Sequence, residues 1–273
     1  MTAPMQLRGR VAVVTGAGGG IGRAIALALA RRGAHLALVD VDAAGLAGVA
    51  EAAAALGVRA VVRSFDVTDR VAVAALPEQV RGELGRIDLL VNNAGVALGG
   101  TFEQVSADDF DWLMAINFDA VVRMTRAFLP LLQTSDDARI VNVSSIYGIV
   151  APAGQTAYAA SKFAVRGFSN ALRHELEGSR IGITVAHPGG VATAIARSAR
   201  APAGVDADEI ERRRVAADKK LRMPPERAGE IIVRAVEQRR SRVLVGGDAV
   251  VVALLERLAP VGYWRLLRRA IEL

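Results

Sequence analysis

The run Val11-Ala12-Val13-Val14-Thr15-Gly16-Ala17-Gly18-Gly19-Gly20-Ile21-Gly22 passes from a short apolar stretch through a glycine-rich turn. An alanine-rich segment, Arg23 to Arg32, follows it, and then a second apolar run, Leu36-Ala37-Leu38-Val39-Asp40. Apolar residues that persist without polar alternation predict a strand buried on both faces. The stretch from Ile21 to Arg32 predicts a helix. Strand, glycine turn, helix and strand together form the opening of a βαβ unit.

The same alternation continues outward. Further strands are expected at Ala60-Val61-Val62, Asp88-Leu89-Leu90-Val91, Ile140-Val141-Asn142-Val143, Ile183-Thr184-Val185-Ala186 and Val243-Leu244-Val245. Seven apolar strands separated by helices predict an α/β fold of Rossmann type, a doubly wound, seven-stranded parallel sheet with helices on both faces. Residues 1–246 are expected to form a single domain of this fold. A charged flap falls at about 195–223, where Ala201-Pro202-Ala203-Gly204 breaks the pattern, and Pro224-Pro225-Glu226 then starts another helix. Residues 247–273 read as a helical C-terminal extension on the same domain, two short helices interrupted between Pro260 and Gly262.

Composition narrows the functional classes. The chain of 273 residues has no cysteine, so disulfide scaffolds, thiol nucleophiles and thiolate metal clusters are excluded. His35, His174 and His187 are scattered without ligand spacing, and no metal is expected. No apolar stretch approaches the ~20 residues of a spanning helix, and Met1 to Arg10 carries no secretory pattern; a cytoplasmic protein is the expectation. The net charge of +6 is unevenly placed. Residues 1–196 hold 17 basic and 17 acidic side chains, whereas residues 197–273 hold 17 and 11. With aromatic residues at only 4%, a base-stacking nucleic-acid platform is not expected.

The glycine turn carries chemistry as well as shape. Gly16, Gly18, Gly19, Gly20 and Gly22, with Ile21, let a phosphate approach the backbone at a helix N-terminus, where free N–H groups and the helix dipole favour an anion. Asp40, 18 residues beyond Gly22, closes the second strand. A carboxylate there accepts hydrogen bonds from ribose hydroxyls and repels a 2′-phosphate, which favours NAD over NADP. Arg23, Arg31 and Arg32 are the basic residues able to compensate, and each reads more simply as a solvated helix face.

A second constellation lies at Tyr158-Ala159-Ala160-Ser161-Lys162, with Ser144-Ser145 upstream. If residues 155–177 are helical, Tyr158 and Lys162 share one face. A phenol titrates near ~10. An ammonium ~4 Å away is worth about 4 kcal/mol at an effective dielectric of ~20, roughly a thousandfold bias toward phenolate. The pair then serves as acid and base near neutrality. The alternative is a surface tyrosine packed on a lysine stem.

Taken together these motifs resemble the short-chain dehydrogenase/reductase family over about residues 8–246. The resemblance rests on Thr15 to Gly22, Asp66-Val67, Asn92-Asn93-Ala94-Gly95, Asn117, Ser145, Tyr158, Lys162 and Pro188-Gly189-Gly190-Val191-Ala192-Thr193. It implies that Asp66 and Val67 flank an adenine, and that Asn93, Ala94 and Gly95 support the cofactor. Pro188, Gly189, Val191 and Thr193 would border the nicotinamide. Spacing before the tyrosine in the family selects Ser145 over Ser144. Ser145 would orient a substrate oxygen, Tyr158 exchange its proton, Lys162 lower the tyrosine pKa and bind the nicotinamide ribose, and Asn117 hold a relay water. A homodimer or homotetramer, paired through helices near 106–133 and 155–177, is implied as well.

The expected activity is interconversion of a secondary alcohol and a ketone. Ile149-Val150-Ala151-Pro152 and the apolar tail favour a lipophilic substrate, with Tyr147 as a candidate pocket residue. The alternatives are a non-catalytic dinucleotide-binding regulator and an epimerase or dehydratase using the same tyrosine and lysine. The tail, with Tyr263, Trp264, Leu266 and Leu267 among Arg265, Arg268 and Arg269, reads first as structural packing and second as a peripheral membrane contact.

Overall fold

The computed structural model describes residues 3–272, with side chains through Arg268. The side chain of Arg269, counted in the basic tail, and Leu273 lie outside the described residues.

Seven strands, β1 (Val11–Thr15), β2 (His35–Asp40), β3 (Ala60–Ser64), β4 (Leu89–Asn92), β5 (Ala138–Val143), β6 (Ile181–Pro188) and β7 (Arg242–Val245), form one parallel sheet. The order is β3-β2-β1-β4-β5-β6-β7. β6 is longer than expected, because His187 and Pro188 still pair with Leu244 and Val245.

Alternate residues of each strand feed two separate cores. Ala12, Val14, Leu36 and Leu38 face one side, where α1 (Gly20–Arg31), α2 (Ala43–Ala55) and α8 (Pro225–Glu237) contribute Ile25, Leu29, Leu46, Val49, Ile232 and Val236. Val11, Val13, Ala37 and Val39 face the other. There α3 (Arg70–Leu84) and α5 (Ala120–Gln133) bring Leu76, Val80, Met124, Phe128 and Leu132. A fully buried side chain such as Phe128 or Leu76 stabilises the fold by about 1.5–3 kcal/mol.

The helix expected near 106–133 is not uniform. α4 (Ala107–Met114) passes into one turn of π-helix, Ala115–Asp119, before α5 begins. α6 (Thr156–Glu175) matches the second long helix. The flap at 195–223 is partly helical, as α7 (Ala207–Asp218) with no buried residue. The extension forms α9 (Gly247–Leu258) and α10 (Tyr263–Glu272). Among the described residues no helix is long and apolar enough to cross a membrane.

The N-terminal edge of the sheet is held by charge. Asp88, fully buried, accepts from Val11 N–H at 2.9 Å, Ser135 Oγ at 2.7 Å and Arg10 Nη1 at 3.0 Å, and pairs with Arg86. Burial alone pushes the Asp88 carboxyl up, but these hydrogen bonds outweigh it and hold it below its ordinary value. The opposite, C-terminal edge is where the candidate residues gather, as expected for a doubly wound sheet.

Candidate active site

The glycine turn is built by steric necessity. Gly16 has φ +66° and Gly20 φ +51°, the left-handed region that favours glycine. A Cβ on Gly22 would lie 1.9 Å from the Gly16 carbonyl oxygen, so α1 can start this close to β1 only without a side chain there. Asn93 Nδ2 donates to the carbonyls of Thr15 (3.0 Å) and Gly16 (3.2 Å), and Thr15 Oγ1 accepts from Asn93 and Ala94 N–H, each at 3.0 Å. The loops after β1 and β4 are thereby locked together.

Asp40 turns its carboxylate into this turn: Oδ2 accepts from Gly18 N–H at 2.9 Å and Oδ1 from Asp42 N–H at 3.1 Å. Arg32 does not form a solvated face. It pairs with Glu230 and Glu237 of α8, and Arg23 lies 3.7 Å from Glu226. Asp66 is exposed, with Oδ1 capping Thr68 N–H at 2.8 Å, while Val67 is buried in the core beside β1 and β2.

The loop after β6 reaches the glycine turn from the other side. Gly20 is close enough to Thr193 that an added Cβ would stand 3.1 Å from Thr193 Cγ2. Val191 bridges Met223, Gly189 N–H donates to Val245 O at 3.0 Å, and Gly190 N–H donates to Asp248 Oδ2 at 2.7 Å. Asp248, at the head of the extension and absent from the expected site residues, organises this loop. The signal was present in Gly246-Gly247-Asp248, directly after β7.

Behind these loops stand the polar candidates. Ser144 Oγ donates to Lys162 O at 2.8 Å and is committed to the α6 backbone. Ser145 precedes a single turn, Ile146–Gly148, and its Oγ accepts from Tyr147 N–H at 3.1 Å. The Ser145 carbonyl lies 3.0 Å from His187 Nδ1; since a carbonyl only accepts, this nitrogen carries the proton. His187 is buried and carries no metal-ligand spacing. Burial pushes its pKa down to about 4, and its role is to fix the Ser145 main chain.

Asn117 sits in the π turn. Its Oδ1 accepts from Val96 N–H at 2.8 Å, and its Nδ2 donates to Val96 O at 3.0 Å and Ser161 Oγ at 3.2 Å. Gly95 lies where Asn117 and Lys162 meet, since a Cβ there would be 3.1 Å from Asn117 Oδ1 and 3.3 Å from Lys162 Nζ. The extra residue of the π turn rotates Asn117 toward this point.

Lys162 Nζ is 5.6 Å from the Tyr158 ring centre and donates to Val143 O at 3.3 Å. The net shift of the phenol runs opposite to the expected lowering, because burial dominates it. Burial pushes Tyr158 up to about 12, against the lowering hydrogen bond of Ser145, and burial pushes Lys162 down to about 8. Tyr147 meets Tyr158 edge-to-face, at 6.0 Å and 85°. Leu98, Leu113 and Ala157 complete an apolar surround, with Phe110 and Trp112 against it. The flap closes over this surround through Arg200, which stacks 3.8 Å above Trp112, pairs with Asp109 at 2.7 Å and bridges Leu98.

Comparison with known proteins identifies the family. A family model described as short chain dehydrogenase matches residues 10–204. SadH of Mycobacterium tuberculosis, named as an oxidoreductase, is 43% identical over 263 residues, covering 94% of each chain. Oxidoreductase UcpA of Escherichia coli is 40% identical, covering 71% of this chain and 73% of its own. A short-chain dehydrogenase/reductase from Burkholderia phymatum, solved in complex with NAD, superposes with a TM-score of 0.86 at 30% identity, covering 93% of this chain and 95% of its own. The chain belongs to the short-chain dehydrogenase/reductase family, a family of oxidoreductases.

Proposed function

We propose that this protein is an NAD(H)-dependent oxidoreductase that interconverts a lipophilic secondary alcohol and its ketone. The observation that carries this reading is the convergence of Ser145, Tyr158, Lys162 and Asn117 at the same sheet edge as the glycine turn and Asp40. The turn fits a dinucleotide: its backbone is bare enough for a pyrophosphate at the N-terminus of α1, and Asp40 stands ready for ribose hydroxyls. Engagement of Arg23 and Arg32 with α8 leaves Asp40 to set the sign at that position, which favours NAD over NADP. The NAD-bound relative supports the same choice of cofactor class.

The cofactor supplies the hydride chemistry when bound. Ser145 orients the substrate oxygen by hydrogen bonding. Tyr158 donates a proton to the oxygen during ketone reduction and accepts it during alcohol oxidation. Lys162 stabilises the phenolate form, and Asn117, bonded to Val96 and Ser161, stands beside it to hold the relay water that carries the proton away. Tyr147, Leu98, Leu113 and Trp112 offer an apolar wall to the carbon skeleton, which is the ground for a lipophilic substrate. Pairing of subunits through the outer faces of α5 and α6 belongs to this reading. The test is a screen of NAD(H) and NADP(H) against lipophilic alcohols and ketones. Turnover without net change in the cofactor, or with NADPH alone, overturns it.

A further inference from the structure

Among the described residues, the C-terminal extension leaves an apolar face without a partner. On α9, Ala249 is buried against the body, and Val252, Ala253 and Leu255 are half-buried. Val250, Val251, Leu254 and Leu258 lie on the other side and are exposed. The stripe continues into Val261, 91% exposed, and Leu266 of α10. A helix on the surface of a globular protein ordinarily turns polar residues outward. Among the described residues, Arg257 and Arg265 turn their charges outward here. The acidic side chains described in this segment face the body: Asp248 accepts from Gly190 N–H, and half-buried Glu256 lies in the field of Arg242.

We propose that this outer face of α9 and α10 docks on an anionic lipid surface. Charge selects the occupant. Two copies paired about a twofold axis would set one basic face against another. A polyanion such as nucleic acid would engage the arginines and leave six valines and leucines in water. An anionic bilayer satisfies both components, taking the apolar stripe into the headgroup boundary and the arginines among the phosphates. Half-buried Tyr263 and Trp264 are the amphipathic ring types found at that depth. The face is also tied to the site. Tyr263 Oη accepts from Ala151 N–H at 3.0 Å, three residues beyond the turn that carries Tyr147 and Gly148. Docking would thus present the apolar surround of Tyr158 close to the lipid surface.

The experiment is flotation of the full-length protein with phosphatidylcholine vesicles, alone or containing roughly a third phosphatidylglycerol. Two double variants are compared, Leu254→Glu with Leu258→Glu, and Arg257→Ser with Arg265→Ser. The wild type is expected to float with the anionic vesicles at low salt and at least about tenfold less with the neutral ones. Each double variant should weaken binding on the order of tenfold or more, with thermal stability unchanged because the four side chains are exposed. No flotation on anionic vesicles, or binding that Leu254→Glu with Leu258→Glu leaves intact, overturns the proposal. A change of oligomeric state in that variant by light scattering also overturns it and assigns the face to a second copy. Flotation reads protein on lipid, so its failure leaves the proposed reaction untouched.

Discussion

Lys162 Nζ lies 5.6 Å from the centre of the Tyr158 ring, one turn along α6, and both residues are buried. At this separation and depth, desolvation of each group exceeds what the pair gains from the other, so each is driven toward its neutral form. A phenol held near 12 is a poor base until further positive charge reaches it. The site therefore depends on what is brought beside the two residues, as much as on their spacing in sequence.

Tyr158→Phe removes the phenolic hydroxyl and keeps the ring against Tyr147. Cofactor affinity should stay within about twofold, whereas turnover should fall by ~10²–10⁴. Cofactor titration by fluorescence alongside steady-state kinetics checks both parts.

The ammonium of Lys162, with its pKa pushed down to about 8, is lost as pH rises through that value. The kcat/KM for alcohol oxidation, which reports the free enzyme, should bend downward above about pH 8. Lys162→Arg should move this bend to higher pH while lowering the plateau. A profile in which the bend stays at the same pH in the variant would assign it to another group.

Asp40→Ser removes the charge that opposes a 2′-phosphate. The ratio of kcat/KM for NADH to that for NADPH should fall by roughly tenfold or more, about 1.4 kcal/mol, mostly through weaker NADH binding. Kinetics with both reduced cofactors at matched concentration measure it.

Gly22→Ala and Gly19→Ala separate sterics from composition. The first places a methyl group 1.9 Å from the Gly16 carbonyl oxygen, and the second meets nothing within 4 Å. Gly22→Ala should destabilise the fold by about 1–3 kcal/mol or more, and Gly19→Ala by less than about 1 kcal/mol. Chemical denaturation of both variants decides between them.

His187, buried and neutral, has a folded pKa of about 4 against an unfolded value of 6.5. The unfolded chain therefore binds more protons between these values. The stability this contributes is complete above pH 6.5 and is lost as pH falls through about 4, on the order of 3 kcal/mol. His187→Gln should flatten the thermal-stability profile in this window. Acid sensitivity that remains at lower pH belongs to carboxylates such as Asp88, whose pKa is also depressed.

Residues that announce themselves over short distances were legible in the sequence. Apolar runs at strand length, the glycine turn and the four-residue step from Tyr158 to Lys162 are local patterns, and a parallel sheet with its polar edge follows from them. The choice of Ser145 over Ser144 came from family spacing, and the structure adds that Ser144 Oγ is already spent on the Lys162 carbonyl. The π turn at Asn117, the hold of His187 on Ser145, Asp248 under Gly190 and the tie from Tyr263 to Ala151 carry no local signature. Each joins residues from separate elements, and such contacts exist only once the sheet has set the distances. Burial is a property of the same kind. The sequence by itself determined the fold class, the family and which side chains stand at the sheet edge. How dry that edge is came from the tertiary structure, which pushes the Tyr158 phenol up and the Lys162 ammonium down, because desolvation depends on everything packed around a group and not on its neighbours along the chain.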